Sequence, residues 1–212
     1  QLGITSIFFI IIQPVIIGTW STIALIGAAA VLVQIPYSLD ELLATLQFLR
    51  RRAKAGQSWL RVLFVGDTDD LPKTAAAGPV DDEFDQAPGA VIKSMVSGGV
   101  SLPWNLALAA LIGLSLLFTR VLLGVDGTLA NVHHVIGSLV LTVVAIAAAE
   151  VARPARYLNA LLGAVLAAAP FLMATDLATT AFSVVLGIAL VALSIRRGPI
   201  RETYGNWQRL IV

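Results

Sequence analysis

The chain alternates long apolar runs with short polar interruptions. Six runs, at about residues 2–17, 20–37, 104–124, 131–149, 157–174 and 179–195, approach or reach the roughly 17 to 25 apolar residues that cross a hydrocarbon core about 30 Å thick. Each is too long for a strand and lacks two-residue alternation. The expected spans are therefore helices, which satisfy their own backbone hydrogen bonds in lipid. The predicted fold class is all-α, a polytopic integral membrane protein of six transmembrane helices plus a cytoplasmic amphipathic helix.

The amphipathic helix is read from "PYSLDELLATLQFLRRRAKAG". Pro36 is expected to help end the second span, and Ser38 with Glu41 forms an S-x-x-E capping box that would start a new helix. Leu39, Leu42, Leu43, Leu46 and Leu49 share one face. Arg50, Arg51 and Arg52 are placed to meet anionic headgroups at the membrane surface or the dipole of the helix C-terminus. Trp59 and Phe64 suit an interfacial anchor, as do Tyr204 and Trp207 in the C-terminal tail.

The last four runs form two units. Leu108, Ala110, Leu111, Gly113, Leu116, Asp126 and Gly137 recur fifty residues later as Leu158, Ala160, Leu161, Gly163, Leu166, Asp176 and Gly187 (163 − 113 = 50). Each unit is a helical hairpin, so the tandem repeats, about 101–150 and 151–200, keep one orientation and are related by an axis along the membrane normal. Gly113, Gly137, Gly163 and Gly187 are expected where neighbouring helices approach closely. Residues 66–100 hold seven carboxylates against two lysines among Pro, Gly and Ala, the signature of a solvated linker. Three parts result: 1–66 with two spans and the amphipathic tail, the acidic linker 67–100, and the four-helix duplication 101–212.

Composition agrees with the pattern. Of 212 residues 58% are apolar and 13% charged, and the mean hydropathy of +0.87 lies outside the soluble globular range. A net charge of +1 says nothing of partners, and nothing points to nucleic acid. The distribution of charge is more informative. Lysines and arginines gather at 50–61, 153–156 and 196–209, while the connections at 18–19, 125–130 and 175–178 carry none. With six spans the positive-inside rule puts every basic cluster and the C-terminus in the cytoplasm. The chain begins at Gln1 with no signal peptide in view, which is expected of a trimmed or partial chain. It holds no cysteine.

"GTWSTIAL" at Gly18–Leu25, followed by "IGAAAVLVQIPYSLDE" and preceded by "FFIIIQPVIIG", resembles the vitamin K epoxide reductase family over about residues 1–66. Members of that family carry W-C-x-x-C at this point, and the resemblance places Ser21 and Ala24 on the two cysteine seats. The family passes electrons from thiols to a quinone, which implies a quinone-proximal region at Gln13, Pro14, Trp20 and Ser21. With a hydroxyl and a methyl in place of the sulfurs, thiol exchange has no nucleophile. The alternative reading at these residues is a helix N-cap at Ser21 or Thr19 and a proline kink.

Residues 101–212, with "LPWNLALAALIGLSLLFTR" and "RRGPIRETYGNWQRLIV", resemble the SPW-repeat family, which occurs fused behind vitamin K epoxide reductase-like domains in bacteria. Its name motif survives as Leu102-Pro103-Trp104. Of the charged residues near spans, Arg120 is expected to snorkel or to pair with Asp126, and Glu150 to pair with Arg153. His133 and His134 are candidate tetrapyrrole ligands, weighed against a reading as interfacial polar residues. No phosphate-binding loop, triad or metal-ligand spacing is found.

These observations favour a bacterial inner-membrane protein acting as a non-catalytic structural or accessory subunit, with the lipid bilayer and other membrane subunits as partners and no certain cofactor. One alternative is a quinone-linked thiol-disulfide oxidoreductase with cysteines supplied upstream or by a partner. Another is an accessory subunit of a respiratory or photosynthetic complex.

Overall fold

The structure is a computed structural model that describes residues 2–19, 21–67, 87–90, 98–173, 175–201, 204 and 208–211. Its helices are α1 (Leu2–Ile12), a π-helical turn (Gln13–Ile17), α2 (Thr22–Lys54), α3 (Trp59–Val65), α4 (Trp104–Leu117), α5 (Thr119–Leu123) and α6 (Gly127–Ala148). A 3₁₀ turn (Glu150–Arg156), α7 (Tyr157–Ala168), a second 3₁₀ turn (Ala169–Leu172), α8 (Leu177–Ile195) and α9 (Gln208–Ile211) follow. No strand occurs among the described residues; a lone bridge joins Val100 to Ala149. Two compact units form, residues 1–39 with 99–212 and residues 40–98.

Among the described residues four helical stretches are long and apolar enough to cross a bilayer, where the hydrophobic runs predict six: Thr22–Lys54, Gly127–Ala148, Glu150–Leu172 and Leu177–Ile195. The other two runs form shorter apolar helices, Ile7–Ile17 and Trp104–Leu117. In the first, Pro14 cannot donate to the carbonyl four residues back. The helix widens into its π turn and stops at Gly18, whose φ of 73° is left-handed. In the second, Phe118 leaves the helical region (φ −105°, ψ 19°) and the Thr119 hydroxyl donates back to Leu116 O at 2.8 Å. Fourteen residues rise only about 21 Å, short of a hydrocarbon core.

A second correction concerns Pro36. The expected break there, with a new helix capped at Ser38, is absent: α2 runs unbroken for 33 residues through Pro36. One missing N–H is tolerated inside a long helix when the rest of the ladder holds. At 1.5 Å per residue α2 is about 50 Å long, longer than a hydrocarbon core, and its arginine-bearing end is its polar end. In the unit 40–98, Arg52 Nε lies 3.2 Å from Asp67 Oδ2 and its guanidinium 5.3 Å from the Phe48 ring centroid. Arg50 and Arg51 are exposed, as are Trp59 and Phe64 on α3. Most of the acidic linker lies outside the described residues.

In the other unit the duplicated hairpins make a four-helix bundle. Going around it, α4 packs on α6, α6 on α7, α7 on α8, and α8 back on α4. Leu106, Leu116, Val140, Leu166 and Leu190 are wholly buried at its centre. Within each hairpin the two helices cross glycine on glycine. A Cβ built on Gly137 would stand 2.6 Å from Gly113 O, and one on Gly187 2.6 Å from Gly163 O. Neither contact is attainable by a real side chain, so the backbones touch only because hydrogen occupies these positions.

Gly137→Val is therefore expected to lower the thermal midpoint in detergent, costing at least the about 1–3 kcal/mol of an overpacked core. Gly27→Ala, where an added Cβ meets nothing within 4 Å, should leave it unchanged or raise it slightly.

Candidate functional site

The polar side chains of the bundle gather at its two ends, where helices stop and release carbonyls. At one end α4 and α7 begin and α6 and α8 finish. There Leu102-Pro103-Trp104-Asn105 forms a clasp for the end of α8. The buried Asn105 amide donates to Leu193 O at 3.2 Å, in the last turn of α8, and to Arg196 O at 2.7 Å, on the residue that follows it, carbonyls of a helix end that have no helical donor. The chain then passes Gly198, whose φ of 76° is left-handed. A Cβ there would lie 2.6 Å from the Pro103 ring. Trp104 stays half exposed with the Arg196 guanidinium over its ring at 5.4 Å.

Beside the clasp lies a buried ionic group. The Ser101 hydroxyl donates to Glu150 Oε1 at 2.6 Å and accepts from Arg153 Nη2, so the expected pairing of Glu150 with Arg153 runs through a serine. Glu150 Oε2 also accepts the Arg201 backbone N–H at 2.8 Å. Arg156 donates to Arg153 O at 3.1 Å and to the Tyr157 hydroxyl at 2.8 Å. The chain entering α4, the turn between repeats and the C-terminal tail are thus tied to one carboxylate.

At the opposite end, His133 Nε2 lies 2.8 Å from Ser183 Oγ. These positions are equivalent in the two repeats (183 − 133 = 50), so the duplicated sequence contacts itself. Ser183 donates its own proton to Thr179 O at 2.9 Å, which makes His133 Nε2 the donor to Ser183 and leaves Nδ1 unprotonated in a neutral ring. His134 bridges to the N-terminal segment: Nε2 is 3.0 Å from Ile10 O and Nδ1 3.2 Å from Leu117 O. Both carbonyls sit at breaks. The α-helical donor for Ile10 O would be the N–H of residue 14, a proline, and Leu117 ends α4. Arg120, expected to snorkel or to pair with Asp126, donates to Pro14 O at 3.2 Å and to Asn131 Oδ1. The two candidate tetrapyrrole ligands therefore both lie buried in helix-to-helix hydrogen bonds.

The residues picked out near the quinone-proximal region come together only in part. Ser21 Oγ accepts the Ala24 N–H at 3.4 Å, the geometry of an N-cap. The Ser21 N–H in turn donates to Gln13 Oε1 at 3.2 Å. Pro14 is buried, and Trp20 lies outside the described residues. A cavity of about 210 Å³ opens between α1, α2, α4 and α6, walled by Ile10, Leu32, Leu117 and Leu141 with Ser138 and Thr142. Both hydroxyls are occupied by their own helix, donating to Val135 O and Ser138 O, so the space is apolar in effect. A wider, polar vestibule of about 620 Å³ is edged by Asp126, Asp176, Thr175 and Thr179. Asp176 accepts from the Thr179 hydroxyl and N–H at 2.6 and 3.0 Å, which holds its carboxyl below the usual carboxylate range.

Sequence reading passed over Ser101, Asn105 and Asn131. Each is a short polar residue at or near the end of an apolar run, and that placement is the available signal, since a buried amide or hydroxyl needs a partner. Among the described residues no group of three or more His, Cys, Asp or Glu is placed to hold a metal ion. Residues 103–197 match the SPW repeat domain. No curated protein and no solved structure matches the chain. The match lies wholly outside residues 1–66.

Replacing Asn105 by Ala should destabilise the bundle by about 1–3 kcal/mol, the cost of leaving buried acceptors unmet, read as a lower thermal midpoint. His134→Phe keeps the bulk and removes the ring nitrogens that face Ile10 O and Leu117 O. Hydrogen exchange should then quicken over residues 2–17 and stay slow in the middle of α8.

Proposed function

We propose that this chain is a non-catalytic structural or accessory subunit of a bacterial inner membrane, built from a vitamin K epoxide reductase-like hairpin joined to an SPW-type duplication. One observation carries the reading: the side chains best suited to chemistry are engaged in holding helices together. The Ser21 hydroxyl caps α2 and its neighbour on the second cysteine seat is the methyl of Ala24. His134, Arg120 and Asn105 bond backbone carbonyls, and Glu150 gathers Ser101 and the tail. The apolar outer faces of the helices, with Leu111, Leu161, Val185 and Ile188 exposed, are left for lipid and for helices of other subunits. Charge supports the orientation: with α4 and α5, Trp104–Leu123, read as one crossing beside α6, the basic connections and C-terminus fall together on the cytoplasmic side.

Two measurements test this. Purified full chain given a quinone and a reduced dithiol substrate should show no turnover above buffer; turnover that vanishes in Ser21→Ala would sink the reading. Because the chain has no cysteine, single introduced cysteines report topology cleanly. Val125→Cys should react with an impermeant maleimide in intact cells and Gln57→Cys only after permeabilisation. The reverse pattern would overturn the orientation.

A further inference from the structure

The Trp104–Arg196 pair is not accounted for by packing. Trp104 opens α4 yet remains 56% exposed, and Arg196 is exposed as well. The guanidinium is nevertheless held in place over the ring by what flanks both residues. Asn105 fixes the Arg196 carbonyl at 2.7 Å, and Pro103 receives Gly198 two residues further on. A second arginine covers a ring at the same end, Arg156 over Tyr157 at 4.3 Å. That arginine is buried and both its terminal nitrogens are engaged. Arg196 differs: among the described residues its side chain is recorded against the indole and against no carboxylate.

The level of this pair in the bundle is set by the helices. Trp104 begins an apolar helix and Arg196 directly follows one that ends at Ile195, so both stand where hydrocarbon gives way to headgroups. An indole prefers that boundary. A guanidinium stacked on a ring face keeps its N–H fork free at its edges, and that planar fork matches a phosphate in a two-point contact. Arg197 and Arg201 lie within five residues and add positive charge. Glu150, beside the clasp, is buried and already accepts from Ser101 and from the Arg201 backbone N–H.

We propose that Arg196, stacked on Trp104 and positioned by Asn105, forms a seat for the phosphate of an anionic phospholipid. The Pro-Trp-Asn stretch thereby serves two purposes, closing the repeat onto the end of α8 and presenting a headgroup site at the membrane surface.

The test uses the full chain labelled with fluorotryptophan in lipid nanodiscs, with the Trp104 fluorine resonance assigned by Trp104→Phe. Raising the phosphatidylglycerol fraction in a phosphatidylcholine background should shift this resonance saturably, and Arg196→Gln should weaken the apparent affinity by about fivefold, the worth of one arginine at an anionic surface. Arg196→Lys should recover part of it. A resonance indifferent to phosphatidylglycerol, or a response unchanged in Arg196→Gln, overturns the proposal. Inorganic phosphate added to pure phosphatidylcholine discs should leave the resonance in place; if it reproduces the shift, the site takes a free anion and the lipid assignment fails. Because both side chains are exposed, the variants should keep the parent's helical content, checked by circular dichroism. Should Arg196→Gln lose it, Arg196→Lys and the parent titration decide the matter.

Discussion

In apolar surroundings a backbone carbonyl that loses its helical partner has no water to turn to, and this structure is organised around meeting that demand. At several helix ends and breaks, in the repeat unit and in the N-terminal segment, a side chain from elsewhere in the fold meets the freed carbonyl. His134 reaches Ile10 O and Leu117 O, Arg120 reaches Pro14 O, and Asn105 reaches Leu193 O and Arg196 O. An unmet buried carbonyl costs about 1–3 kcal/mol, comparable to a sizeable fraction of a domain's stability. Polar residues in this bundle are therefore found chiefly at its ends.

The middle of the bundle obeys a different constraint, closeness. With lipid on one side and apolar side chains on the other, transfer of surface from water contributes little to helix association, and van der Waals contact carries it. Gly113 on Gly137 and Gly163 on Gly187 bring backbones within reach, and Leu116, Val140, Leu166 and Leu190 fill the space beside them. The duplication makes this economical, because one crossing repeated fifty residues later builds two hairpins of the same shape. The repeat-related His133 and Ser183 then meet at one end and bond to each other, a contact that neither hairpin could make alone.

The N-terminal segment joins this scheme through its weakest point. Pro14 removes a donor, the π turn and Gly18 end the helix, and the carbonyls so released become the sites that His134 and Arg120 hold. A break in one element is thus the attachment for another. The neighbouring cysteine seats of the family it resembles carry a cap and a methyl, chemistry suited to stopping and starting helices. Held in this way, the segment walls an apolar cavity against the first hairpin, and the paired aspartates lie at the edge of a separate, more polar space.

What the sequence by itself determined was the helical class, the duplication and the residues where helices would touch. Each of these follows from local rules: apolar length, periodic recurrence and the absence of a side chain. It misjudged the extent of elements, placing a break at Pro36 where α2 continues and full spans where α1 and α4 stop early. Whether one missing N–H ends a helix depends on what surrounds it, which no local pattern encodes. Partners were decided only by the tertiary structure. Arg120 turned from Asp126 to Pro14 O and Asn131, Ser101 came between Glu150 and Arg153, and Asn105 proved to be the cap of a helix 88 residues away at Leu193. A donor's partner is the carbonyl left unmet nearest to it in space, and that is defined only once every helix end has been placed.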